Sequence, residues 1–204
     1  MDPEVSKSGG VLSGKSNGRF LMSFVLTLGL GAFQYGYSIG VYNSMQVNFE
    51  YLFGWKTEGE TNMWNGIITS ICALGSAVGS IIAGIPAERW GKLRAMHVTN
   101  LILIVGCALS CYQSMAVILA GKFLFGFAAG AFSVFVPSFI NELVPNEIKG
   151  TYGSLTQILI TLGIFISYLF GLPLPESVQG IKSNFMNDDY WRVVNAIPIL
   201  FAIL

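Results

Sequence analysis

The sequence predicts an all-α membrane protein, a bundle of six helices in which the sixth is cut short. Three observations predict it. Of 204 residues, 53% are hydrophobic and 11% are charged, under half of the roughly 25% charged residues of a soluble domain. Glycine reaches 24 residues, well above its usual share of about 7%. Finally, apolar stretches recur at the length of a bilayer crossing. Eleven Lys and Arg balance eleven Asp and Glu, so no global field draws polyanions and nucleic acid is excluded as a partner.

Residues 1–19 form a cytoplasmic tail rich in Ser, Gly and Lys, with no apolar run to serve as the core of a cleavable signal. The stretch beginning at Phe20 is expected to act as an uncleaved anchor. The transmembrane bundle occupies 20–204, with helices near 20–43, 64–86, 95–115, 117–140, 150–172 and 190–204. The first five have about the 20 residues that a hydrocarbon core requires. The sixth, Tyr190–Leu204, would reach only about 22 Å at 1.5 Å per residue, short of a core of roughly 30 Å. The expectation is a chain that stops inside its sixth span, as in a truncated gene model, a fragment or a short isoform.

Loop charges set the orientation. The tail and the loops at 87–94 and 141–149 share one side and carry Lys7, Lys15, Arg19, Arg89, Lys92, Arg94 and Lys149. The other side, with the stretches leading into it, carries Lys56, Lys122, Lys182 and Arg192 against Glu50, Glu58, Glu60, Glu176, Asp188 and Asp189. The positive-inside rule then places the N-terminus in the cytoplasm.

Small residues recur every four positions: Gly75, Gly79 and Ala83 on the second helix, Gly126 and Gly130 on the fourth, Gly163, Ser167 and Gly171 on the fifth. Such spacing lets helix backbones approach closely. It serves a fixed bundle or the sliding surfaces of a moving one, and spacing alone favours the fixed bundle. Lys122, inside the fourth stretch, either snorkels to the outer interface or sits in a buried pair. His97 belongs at the cytoplasmic interface. Cys107 and Cys111, four apart on one helix, pack rather than bridge, and one histidine with no Cys-x-x-Cys offers no metal site.

Polar side chains are expensive in lipid and should face protein or water. The first helix carries Gln34, Tyr35, Tyr37, Ser38 and Asn43 around Gly36 and Gly40. On the fifth, Gln157, Ile160, Thr161, Ile164 and Tyr168 share a helical face. An amide that both donates and accepts, flanked by hydroxyls and apolar walls, suits an uncharged hydroxylated ligand. The alternative is an amide that only bonds a neighbouring helix.

These residues resemble, from about Phe20 to Leu204, the N-terminal half of a sugar porter of the major facilitator superfamily, close to the facilitative glucose transporters. Gln34-Tyr35-Gly36-Tyr37-Ser38-Ile39-Gly40-Val41 resembles the family's Q-F-G-Y-N-T-G-V, and Glu88-Arg89-Trp90-Gly91-Lys92 its D/N-R-F-G-R. Gly121-Lys122-Phe123 with Val136-Pro137-Ser138-Phe139-Ile140-Asn141-Glu142-Leu143-Val144-Pro145 resembles G-R-F…V-P-x-Y-x-x-E-x-x-P. Lys149-Gly150-Thr151-Tyr152-Gly153-Ser154-Leu155-Thr156-Gln157 resembles R-G-x-L-G-x-L-x-Q, and Trp191-Arg192 matches a W-R opening the sixth span. Each piece is weak alone; five in order on the expected topology are strong.

The resemblance implies a 3+3 inverted repeat and facilitative hexose transport by alternating access. It assigns Gln157 to the sugar site, Ile160 and Ile164 to its apolar wall, and Tyr35 to the first-helix side. Arg89, Glu142 and Lys149 would form a cytoplasmic charge cluster that latches two halves when the site faces outward. Lys92, Lys122 and Lys149 stand where the family usually has arginine, which keeps charge but loses the bidentate fork. Ser38 stands where proton-coupled members carry an aspartate, and no carboxylate lies between Phe20 and Asn48, so the resemblance implies uniport rather than proton symport. Full members have a second six-helix bundle; the implied partners are therefore hexose, the lipid bilayer and a missing C-terminal bundle or partner chain. No cofactor and no enzymatic activity are implied, and the cell membrane is the location by resemblance. The competing reading is a non-transporting half-bundle that serves as a structural or regulatory membrane subunit.

Overall fold

The computed structural model describes residues 18–55, 57–143, 149–174 and 190–203. The tail at 1–17, residue 56, the segments 144–148 and 175–189, and Leu204 lie outside them, and with them Lys7, Lys15, Lys56, Glu176, Lys182, Asp188 and Asp189. Every element among the described residues is a helix: α1 (Gly18–Phe53), α2 (Glu58–Ile82), α3 (Gly84–Trp90), α4 (Lys92–Ser110), α5 (Met115–Leu143), α6 (Lys149–Gly171) and α7 (Tyr190–Ile203). Four spans within them are long and apolar enough to cross a membrane: Glu58–Trp90, Lys92–Ser110, Met115–Glu142 and Lys149–Gly171. The shorter α7 is apolar as well.

α1 runs well past the expected end near 43. Gln46, Asn48 and Glu50 look like the polar margin of a span, yet Met45 and Phe49 alongside them are buried and the Phe49 and Trp191 rings meet at 5.4 Å. Burial on one face therefore carries the helix on to Phe53. It ends at Gly54, whose φ of +66° suits glycine. The Gly54 amide donates to Tyr51 O at 3.3 Å and the Trp55 amide to Glu50 O at 3.1 Å, which closes a Schellman cap.

α2 stops at Ile82 because Pro86 has no N–H to give the Ile82 carbonyl, and the chain restarts as α3 after Ala83. The loop expected at 87–94 is largely helical. Gly91 alone separates α3 from α4, at φ +84°, a conformation that side chains resist. This one turn brings the start of α4 against the end of α5.

Two helix pairs dominate the packing: α1 with α6 and α2 with α5. Each pair places the first helix of one three-helix half against the second helix of the other. α4 also packs along α5, and α7 lies across α1 and α4. The core between them contains Tyr37, Met45, Ile68, Leu103, Phe125 and Trp191. Pro198 lies within α7 and offers no amide proton to Val194 O four residues earlier. The Tyr37 hydroxyl donates to that carbonyl instead, at 2.6 Å. The Gln34 amide donates to Pro198 O at 3.4 Å, and the Phe33 ring meets that of Phe201 tilted, at 4.8 Å between centroids.

Candidate substrate cleft

Gly36 and Gly163 let the α1 and α6 backbones touch: a Cβ on Gly36 would collide with Ile160 O, and one on Gly163 with Phe33 O. Close contact along this line leaves the neighbouring face of α6 turned outward. Gln157 and Thr161 are exposed there, with the Thr161 hydroxyl donating to Gln157 O at 3.0 Å. Together with Ser154, Ile158, Leu162 and Phe165 they line an open groove. Ile160 and Ile164 are half-buried toward the α1 seam, where Ile160 packs against the cluster of Ala32, Val136 and Ile140.

Tyr35 lies elsewhere. It lines a cavity of about 290 Å³ between α1, α2 and α5, together with Ser38, Asn43, Thr69, Cys72 and Lys122. The sequence-predicted sugar residues are thus divided between this cavity, the α6 groove and the seam that separates them. Asn43 joins the two sides: its amide donates to the Tyr168 hydroxyl on α6 at 3.2 Å. The Ser38 hydroxyl turns back on its own helix and donates to Tyr35 O at 2.6 Å.

Lys122 is buried rather than snorkelling, with 2% of its surface exposed. Its Nζ donates to Asn195 Oδ1 at 3.0 Å and lies 5.8 Å and 5.6 Å from the ring centres of Tyr42 and Phe125. Asn195 escaped the sequence reading, although an amide in the apolar α7 stretch was its signal. The three cysteines are free.

At one end of the bundle, the ammonium of Lys92 pairs with Glu142, donates to Ser138 Oγ at 2.7 Å and lies over the Phe139 ring at 5.7 Å. Arg89, in the last turn of α3, is exposed, and Lys149 opens α6 half-buried. Glu142 therefore takes its cation from the residue just after Gly91, which the sequence reading had set among the loop charges.

The family model described as "Sugar (and other) transporter" matches residues 24–204. The chain belongs to the sugar (and other) transporter family. Hexose transporter 1 of Plasmodium knowlesi is 30% identical over 98% of this chain and 42% of its own length. The human facilitated glucose transporter member 4 of solute carrier family 2 is 30% identical over 90% of this chain and 38% of its own. The plastidic glucose transporter 4 of Arabidopsis thaliana is 32% identical over 94% and 33%. The chain thus spans less than half the length of these relatives. The fold matches the major facilitator proton:xylose symporter XylE with a TM-score of 0.81 at 18% identity, covering 92% of this chain and 43% of that one. The bundle is accordingly the N-terminal six-helix bundle of the major facilitator fold, in a membrane protein that is a transporter-family member and not an enzyme.

Proposed function

We propose that this chain is the N-terminal half of a facilitative hexose transporter, which moves sugar such as glucose down its gradient by alternating access. The carrying observation is the exposed amide of Gln157 beside Thr161 on an otherwise apolar helix of membrane-spanning length. An amide at that depth is stable only against water or protein, and a face of this kind suits a vestibule closed by a second bundle. The relatives named as hexose and glucose transporters support the substrate class. Gln157 holds sugar hydroxyls, and Ile160 and Ile164 stiffen the wall behind it.

Uniport is the mode that the residues favour. α1 has no carboxylate between Phe20 and Asn48, and the Ser38 hydroxyl is occupied by Tyr35 O. The Lys92–Glu142 pair acts as a latch on the cytoplasmic side of a cell-membrane protein. Partly solvated ion pairs contribute about 0–1 kcal/mol each, enough to bias a two-state rocker without freezing it.

The test uses the uninterrupted reading frame with its second bundle, reconstituted in proteoliposomes. Gln157→Leu should reduce glucose exchange by about tenfold or more, the effect of one lost polar contact of roughly 1.4 kcal/mol. Unchanged exchange would remove Gln157 from the sugar path. Accumulation of sugar against its gradient under outside acidification would replace uniport with symport.

A further inference from the structure

The sugar reading leaves Lys122 without a task. Its ammonium is almost wholly buried, and among the described residues no carboxylate contacts it. Around it stand the Asn195 amide oxygen and two ring faces. The ion pair found among the described residues, Lys92–Glu142, lies twenty residues further along α5, about 30 Å away at 1.5 Å per residue. Burying a positive charge in low dielectric is strongly unfavourable without a countercharge. One amide dipole and two aromatic quadrupoles offset only part of that.

The groups that do face the ammonium leave room beside it for a countercharge. Asn195 presents its oxygen to Nζ while its Nδ2 faces Cys111 Sγ at 3.7 Å. Tyr42 and Phe125 present π faces, which attract cations. Nζ carries three protons, and Asn195 accepts one of them. Lys122 also lines the cavity of about 290 Å³ that holds Tyr35 and Asn43. The Asn43 amide spends one proton on Tyr168 and retains another to donate. This is a desolvated cation, a void beside it and neutral donors around the rim.

We propose that this cavity binds a small monovalent anion, either a halide or the carboxylate of an acidic sugar, which supplies the countercharge of Lys122. The anion enters between α1 and α2, where Ile39 and Ala73 are exposed at the cavity wall. Charge-assisted bonds to the ammonium hold it, and Asn43 and Tyr35 orient it. The site is separate from the Gln157 groove and does not depend on the hexose reading.

Calorimetric titration of the 204-residue chain in lipid nanodiscs tests it, with sodium chloride, sodium D-glucuronate and D-glucose as probes and sodium HEPES holding the ionic strength. Saturable binding of chloride or glucuronate is expected. Affinity should fall about tenfold or more in Lys122→Gln, as for one lost charge-assisted contact, and persist in Lys122→Arg. Ala73→Phe, which fills the cavity and leaves the lysine in place, should abolish binding as well and serves if Lys122→Gln misfolds. Binding of chloride alone identifies a bare halide site, and tighter binding of glucuronate identifies an acidic sugar. Absence of saturable anion binding, or equal binding in wild type and Ala73→Phe, overturns the proposal. D-glucose binding bears only on the Gln157 face, so the two readings fail separately.

Discussion

The α2–α5 and α1–α6 seams solve one packing problem in two ways. Between α2 and α5, glycines oppose backbone throughout: Gly126 meets Cys72 O, Gly130 meets Ser76 O, Gly75 meets Phe123 O and Gly79 meets Phe127 O. Between α1 and α6, Gly36 and Gly163 also meet carbonyls, but Gly40 meets Ser167 Oγ and Gly171 meets Ser44 Oγ. The Ser167 hydroxyl facing Gly40 can rotate away; a peptide carbonyl, or the Ser44 Cβ that also faces Gly171, cannot. One seam is therefore rigid along its length, and the other has an adjustable contact at Gly40, near where Asn43 and Tyr168 bond. That softer end borders the polar faces of both helices. The same small-residue spacing in sequence thus conceals one fixed contact and one adjustable contact.

The largest expected effect separates these seams directly. Gly126→Ala or Gly130→Ala pushes a methyl into a carbonyl, an overpacking of about 3 kcal/mol. Gly40→Ala should cost about 1 kcal/mol or less and be relieved by Ser167→Ala, which removes the opposing hydroxyl. Thermal unfolding in detergent, followed by tryptophan fluorescence, measures both. Equal losses at Gly130 and Gly40 would break the distinction.

Next in size is the contact that α1 makes on its other side, with α7. Tyr37→Phe strands Val194 O, which Pro198 leaves without a helical donor, and should cost about 1–3 kcal/mol. Pro198→Ala restores an amide proton to that carbonyl, so the double variant should recover part of the loss in a mutant cycle. Additive losses would show that the hydroxyl does not replace the missing helical bond. Tyr168→Phe then probes the soft end of the α1–α6 seam. It removes the bond from Asn43 at an exposed position and should cost about 0.5–1 kcal/mol, with Gly130→Ala in the same background adding its full effect. Stronger coupling between the two would mean that the seams are not independent.

Much of this was legible in the sequence because bilayer physics is strict. Apolar length gave an all-helical bundle, and four-residue spacing of Gly75, Gly79, Gly126 and Gly130 marked faces for close packing without saying which helices meet. Legibility failed where a local signal met a tertiary one. The polar run after Asn43 looked like the end of a span until Phe49 found Trp191. Residues 87–94 looked like a loop because one glycine at positive φ suffices to join two helices. The face formed by Gln157, Thr161 and Tyr168 was visible as periodicity, whereas the separation of Tyr35 from Gln157 was not. Helical offsets give the face of each helix but not the rotation between two helices, and that rotation is set by where Gly36 and Gly163 interlock.

The smallest effect concerns the helix ends rather than the seams. Lys92→Gln removes the partner of Glu142, and since that carboxylate is largely exposed, the stability change should be about 0–1 kcal/mol. Salt should shrink the difference further, because screening at 0.15 M acts over about 8 Å. The pair joins the turn at Gly91 to the end of α5, the helix held rigidly by α2. Loss of the pair should therefore leave the α2–α5 seam intact and, under the proposed latch role, act on the equilibrium between conformations of a two-bundle transporter. Cysteine accessibility at the α5 end, compared between Lys92→Gln and wild type at low and high salt, measures that shift. A salt-independent change equal to that of Gly130→Ala would place Lys92 in the packing of the seam instead.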